Sequence, residues 1–203
     1  MAEPSITIFT CDSYSHIVPL TIKYLDRAWS NHPRVEIVTN TIPIESKYPV
    51  IYLGKDKGWC SNILAYVKDK TDPFILLCEE GILTEVDESL LQKAFDAWTP
   101  DLGLLRLFPC PGPTLPWSED IGEIDKALPY AISVQMSIWN PQTIRDIARP
   151  GETPWDFEIQ GSQRALNYTP KFLGTYHSAL SYKEYTRRGK LNPDALKWIA
   201  NHP

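Results

Sequence analysis

Pro73-Phe74-Ile75-Leu76-Leu77-Cys78-Glu79-Glu80-Gly81 is an apolar run of strand length that ends in two adjacent acids and a glycine. Phe74 to Cys78 reads as a strand buried on both faces, the kind found inside a mostly parallel α/β sheet. Ligands of such sheets bind beyond the carboxyl ends of the strands. Glu79 and Glu80 therefore fall where an open α/β sheet keeps its chemistry, and paired carboxylates there suit a hard divalent cation and the phosphates it carries. The plainer reading is a pair of solvated charges opening a turn at Gly81. Successive strand residues point to opposite faces, so Glu80, nearer the turn, is the first choice for a metal or diphosphate contact and Glu79 the second.

Outward from this strand, the pattern alternates strands and helices. Ile6 to Cys11 is a first strand, followed by the polar turn Asp12 to His16. Pro19 suits a first helical turn, and Ile22, Leu25 and Trp29 share one face of the helix it would open. Strands are expected at Val35 to Thr39 and Val50 to Leu53. Trp59, Ile63, Leu64 and Val67 repeat at helical spacing, and Asp87 caps a helix carrying Leu90, Leu91, Ala94, Phe95 and Trp98. This order indicates an α/β fold with a largely parallel sheet. Leu102 to Phe108 is a further strand and Tyr130 to Ile138 another. Between them, Pro109 to Pro116 is proline-rich, cannot pair in a sheet interior, and reads as a mobile lid or acceptor loop.

Composition narrows the class. The 203 residues suffice for one sizeable core and favour a single domain. A formal net charge of -5 argues against a general nucleic-acid binder. No apolar run approaches the ~18 residues of a membrane span, and the first residues lack the basic and apolar regions of a signal peptide, so a soluble, cytoplasmic protein is expected. Cys11, Cys60, Cys78 and Cys110 form no C-x-x-C pair, which signals neither a zinc site nor a disulfide framework.

The second half holds another suggestive segment, Gly151 to Glu158. Thr153 is a good N-cap, Pro154 suits the first helical position, and Asp156 completes a capping-box spacing with Asp in place of Glu or Gln. Asp156 is therefore spoken for by backbone donors on the structural reading. Glu158, rotated by about 200° from it on a helix, is the freer carboxylate and the favoured general base for a hydroxyl. Arg187-Arg188-Gly189-Lys190 is a basic cluster suited to a diphosphate, or simply a solvated turn. His177 is either a metal ligand or phosphate donor, or an ordinary structural histidine.

In order along nearly the whole chain, Asp12-Ser13-Tyr14, Gly58 to Leu64, Phe74 to Glu80, Gln135 to Trp139, Pro150 to Glu158 and Arg188-Gly189-Lys190 resemble a glycosyltransferase of the GT-A type, among small bacterial and viral glycosyltransferase-like proteins. The resemblance implies one GT-A domain over residues 1–203, with a Rossmann-like mixed sheet, a nucleotide-sugar donor half (1–100) and an acceptor and catalytic half (101–203). It implies a nucleoside-diphosphate sugar as donor, a divalent metal (Mn2+ or Mg2+), and inverting transfer to the hydroxyl of a glycan or other acceptor. Carried over, Thr10, Asp12 and Asp56 hold the base and ribose, and Arg188 and Lys190 the diphosphate. Glu80 and Glu79 hold the metal with His177 as a further candidate, and Glu158 is the base, with Asp156 beside it. The acidic motif departs from the usual D-x-D or Asp-Asp: it is Glu-Glu-Gly, and its longer arms lose more rotamer entropy on fixing. Two rivals stand beside this reading. One is a non-catalytic nucleotide or glycan binding module of the same fold; the other is a metal-dependent nucleotidyltransferase or phosphohydrolase. Neither a G-x-x-x-x-G-K-[ST] loop nor a G-x-G-x-x-G turn is present.

Overall fold

The computed structural model describes residues 4–78, 81–187 and 190–203. Strand β1 (Ser5–Phe9) leads through a 3-10 turn (Ser15–Ile17) into helix α1 (Val18–Ala28), with Pro19 in its first turn. Strands β2 (Val35–Thr39) and β3 (Val50–Tyr52) come next, then helix α2 (Trp59–Val67) and strand β4 (Phe74–Cys78). Strand β5 (Gly81–Val86) precedes helix α3 (Glu88–Ala97), where Asp87 accepts the Leu90 N–H at 2.9 Å as N-cap. Strands β6 (Leu102–Arg106), β7 (Leu115–Pro116), β8 (Ile121–Glu123) and β9 (Ser137–Trp139) lead to helices α4 (Pro141–Ile147) and α5 (Pro154–Ala165). The chain continues through strands β10 (Lys171–Thr175), β11 (Leu180–Glu184), β12 (Thr186–Arg187) and β13 (Lys190–Leu191) into helix α6 (Pro193–Asn201).

Nine strands form one sheet in the order β3-β2-β1-β4-β9-β6-β10-β8-β7. The strands β3, β2, β1, β4, β6 and β10 point the same way, and β9 runs against both of its neighbours, β4 and β6. Helices cover both faces, which is why β4 reads as a continuous apolar run: Ile75 and Leu77 pack with α1 and α3, while Phe74 and Leu76 pack with α2, α4 and α5. All four are at most 3% exposed, and burying each stabilises the fold by about 1.5–3 kcal/mol relative to leaving it in water.

Three expectations from the pattern change. Gly81 does not open a turn; it opens β5, pairing antiparallel with Glu184 at the end of β11. Of the stretch from Tyr130 to Ile138, only Ser137 and Ile138 enter a strand, because the residues before them bond to α5 instead of to a neighbouring strand. The proline-rich segment is tied down as well: the Pro111 carbonyl accepts from Arg106, and Leu115–Pro116 form the outermost strand, the one place in a sheet where a residue without an N–H costs little.

Candidate active site

The carboxyl ends of β1 and β4 open into a cavity of about 470 Å³. Phe9, Thr10 and Cys11 supply the floor from β1, and Cys78 from β4. One wall is the start of α2. Here the Asp56 Oδ1 accepts the Gly58 N–H and the Asn62 Nδ2 donor, both at 2.8 Å. Gly58, the N-cap residue, has φ 89° and ψ 157°, a conformation essentially reserved for glycine. Asp56 and Asn62 both face the cavity.

The opposite wall is the first turn of α5. The capping box is complete: the Asp156 N–H donates to Thr153 Oγ1 at 3.2 Å, and Asp156 Oδ2 accepts the Thr153 hydroxyl at 2.7 Å and its N–H at 3.1 Å. Those Thr153 donors, the hydroxyl foremost, hold the Asp156 carboxyl below its ordinary value. Asp156 is thereby engaged in starting the helix and does not line the cavity, whereas Pro154, Trp155 and Glu158 do. The two walls are braced together, since the Cys60 N–H donates to the Glu152 carbonyl at 3.3 Å and the Gly151 N–H to Ser61 Oγ at 3.1 Å. Two helix N-termini thus flank one space, an arrangement that favours negative charge between them.

Glu158 is half-buried. Its Oε1 accepts the Ser133 hydroxyl and the Val134 N–H, each at 2.8 Å. Val134 and Gln135 complete this side of the wall, and the Gln135 amide oxygen accepts the Tyr182 hydroxyl from β11. Glu184 at the end of β11, with Thr186 and Arg187 of β12, closes the rim, and Arg187 Nε lies 3.5 Å from the Glu184 carboxylate.

The structure distributes the residues singled out from the sequence unevenly. Thr10, Asp56 and Glu158 meet at the cavity. Asp12 does not line it: its Oδ1 accepts the Thr41 and Ile42 N–H groups, both at 2.8 Å, and its Oδ2 the Thr41 hydroxyl at 2.5 Å. Asp12 therefore staples the turn after β1 to the loop after β2, and these donors, the Ile42 N–H first, hold its carboxyl below the ordinary value. Lys190 is exposed on β13 opposite Arg187 and does not line the cavity, and His177 is exposed beyond the end of β10, also outside it. Glu79, Glu80 and Arg188 lie outside the described residues. Among the described residues, no three His, Cys, Asp or Glu side chains converge as a metal site.

Sequence reasoning put no weight on Gln135, Glu184 or Arg187 individually. Arg187 had a signal as the first residue of the basic cluster, and Gln135 as the first residue of a stretch that carried the resemblance. Tyr14, Trp59 and Trp155 line the cavity, Trp155 being 63% exposed, while Trp139 is wholly buried in the core.

A larger concavity of about 620 Å³ opens at the other edge of the sheet, near Ser5, Arg34 and Pro73. Its buried acid, Glu36, already accepts from the Tyr66 hydroxyl at 2.5 Å and Lys70 at 2.7 Å. Burial works to raise that carboxyl, and Lys70 and Tyr66 outweigh it. At the carboxyl edge, by contrast, polar side chains from separate elements, among them Thr10, Asp56, Asn62 and Glu158, converge on one cavity.

No protein-family model matches the chain, and no curated protein matches it. Solved structures do. The 1–349 segment of S. aureus TarS superposes with a TM-score of 0.53 at 13% identity, covering 87% of this chain and 60% of that one. This chain therefore spans 60% of that segment's length. A CMP:2-keto-3-deoxy-manno-octonic acid synthetase complexed with CTP superposes with a TM-score of 0.52 at 9% identity, covering 98% of both chains. The likeness is one of fold: a GT-A-like mixed α/β unit whose large, mostly parallel sheet is flanked by helices. Among the described residues, no helix is long and apolar enough to cross a membrane.

Proposed function

We propose that this chain is a glycosyltransferase that moves a sugar from a nucleoside-diphosphate sugar to an acceptor hydroxyl with inversion. The observation that carries the reading is Glu158. It reaches the cavity formed at the ends of β1 and β4, and both of its described hydrogen bonds fall on Oε1. Oε2 is left to take a proton. In the proposed step the acceptor oxygen attacks the anomeric carbon as its proton passes to Glu158 Oε2. The bond from the anomeric carbon to the phosphate oxygen breaks, and its electron pair leaves with the nucleoside diphosphate. Thr10 and Asp56 serve the nucleoside side. Arg187 and the two helix N-termini offset charge developing on the diphosphate. The residues that would hold Mn2+ or Mg2+ are Glu80 and Glu79, and such an ion would supply charge neutralisation at the leaving group.

A nucleotidyltransferase is the second reading, favoured by the CTP-complexed synthetase that superposes over 98% of both chains. Product analysis separates the two. The chain is incubated with UDP-, GDP- and dTDP-sugars, and in parallel with CTP and a sugar acid, each with Mn2+ or Mg2+. Release of nucleoside diphosphate with free or transferred sugar supports the glycosyltransferase. Release of pyrophosphate from CTP replaces it with the second reading. Nucleotide binding without either product makes the chain a binding module.

A further inference from the structure

Arg106 ends β6, and its side chain is fully buried. The guanidinium spends its hydrogen bonds on backbone carbonyls: Nη1 donates to Pro111 at 2.5 Å, and Nη2 to Tyr130 at 3.1 Å and Ala131 at 3.0 Å. Among the described residues no carboxylate hydrogen-bonds it, and its Nε has no partner. Burial pushes the guanidinium down to about 10, and the negative charge of Glu158 is the first influence working the other way. A buried cation without a hydrogen-bonded counter-ion is a costly arrangement that a well-packed apolar residue would avoid. What the charge holds must therefore be the reason for it.

The two carbonyls that Nη2 holds begin the segment 130–134. Tyr130 sits at φ 60°, a left-handed conformation that a bulky residue adopts only when its surroundings impose it. The segment then turns to α5. The Ile132 N–H donates to Ser162 Oγ at 3.0 Å, and Ser133 and Val134 grip Glu158 Oε1. One short stretch is thus anchored by Arg106 at its start and delivers two donors to Glu158 at its end.

We infer that Arg106 is a positioning residue for Glu158: it fixes the 130–134 segment so that Ser133 and Val134 hold one carboxylate oxygen and turn the other to the cavity. Arg106 touches no substrate on this account; it acts through the loop. The inference rests on the reading of Glu158 as the base, and it is testable apart from that reading, because the clamp has a consequence that needs no turnover.

The test uses Arg106→Lys and Arg106→Gln in the full chain. Three quantities are read: amide hydrogen exchange at Val134, UDP affinity by calorimetry, and turnover of the panel donor hydrolysed fastest, with Glu158 intact and in a Glu158→Gln background. Val134 exchange is expected to accelerate about ten-fold or more, the scale of losing a charge-assisted hydrogen bond, while Ile8 in β1 is unchanged. UDP affinity should stay within about three-fold. Turnover should fall about ten-fold where Glu158 is intact and no further where it is Gln, the non-additivity of residues acting as one unit. Arg106→Lys, which keeps the charge, should lose less than Arg106→Gln. Unchanged Val134 exchange overturns the clamp. Equal turnover losses in both backgrounds reduce Arg106 to a structural residue. Normal turnover of Glu158→Gln sinks the base reading instead, and Val134 exchange still decides the clamp. Should neither variant fold, wild-type exchange decides: a Val134 amide exchanging as fast as an unstructured peptide refutes the clamp, and strong protection supports it.

Discussion

Glu158 Oε1 accepts the Val134 N–H at 2.8 Å, so a carboxylate on α5 is oriented by the loop that precedes β9 and lines the same wall of the cavity. An interior helical position would leave this side chain to choose among rotamers in solvent. The bond to Val134, with that to Ser133, removes the choice and fixes which oxygen is engaged.

Glu158→Gln keeps the size of the side chain and removes its capacity to take a proton. Turnover at saturating donor and acceptor should drop by about 100-fold or more, the usual contribution of a positioned base. UDP affinity by calorimetry should change little, since in the proposed step Glu158 meets the acceptor and not the nucleotide. Near-normal turnover would remove it as the base.

Asp12 should govern part of the acid stability. Folding lowers its carboxyl below the ordinary 3.8 because the Ile42 and Thr41 donors favour the charged form. Its contribution is therefore complete above that value and is lost as the pH falls through the lowered folded-state value. Asp12→Asn should be less stable than the wild type near neutral pH, and its stability should fall less steeply from about pH 5 downward. Urea titrations across that range measure the difference.

Arg187 and Lys190 face each other across the β12–β13 pairing, yet only Arg187 borders the cavity. Arg187→Ala should weaken UDP binding about ten-fold and reduce its salt dependence, as loss of one charge-assisted contact to phosphate does. Lys190→Ala should leave affinity within about two-fold. Equal losses would contradict the placement of the diphosphate beside Arg187.

Thr153→Ala deletes the N-cap of α5 and with it half of the capping box. The expected cost is about 1 kcal/mol, or a fall of about 2–4 °C in Tm for a chain of this length. Scanning calorimetry reads this directly. Asp156→Ala should cost a similar amount and leave turnover largely intact, because Asp156 works for the helix.

The parts of this architecture that could be read without coordinates are those carried by local periodicity. The doubly buried β4, the apolar stripes of α2 and α3, the Asp87 cap and the Thr153–Asp156 box all have causes within a dozen residues. β5 escaped notice because its reason lies elsewhere: Gly81 pairs with Glu184, and nothing near Gly81 announces that partner. Strand propensity misled at Tyr130 to Ile138, where Ile132 and Val134 look like strand residues and instead give their N–H groups to Ser162 and Glu158. At the site, Glu158 was singled out from helix phase and Thr10 and Asp56 through the resemblance alone, and all three line the cavity. Asp12 looked equivalent to them, and only the fold reveals that the Thr41 and Ile42 amides had claimed it. Arg187 was hidden in its cluster because a two-residue strand, with Thr186 buried and Arg187 outward, decides which cation faces the cavity.

The reversed direction of β9 has a bearing on how this site can vary. In a wholly parallel sheet the chain reaches each strand from the edge away from the ligand, and only departing loops shape the binding face. Because β9 is turned around, its approach, not its departure, lies on the cavity side, bringing Val134 and Gln135 to the wall. The chain crosses that rim twice near Arg106, once leaving β6 and once arriving at β9. Val134 holds Glu158 through its backbone N–H, and neither Val134 nor Gln135 belongs to a strand, so side-chain changes at these two positions would reshape the wall of the cavity while every ladder of the sheet keeps its register.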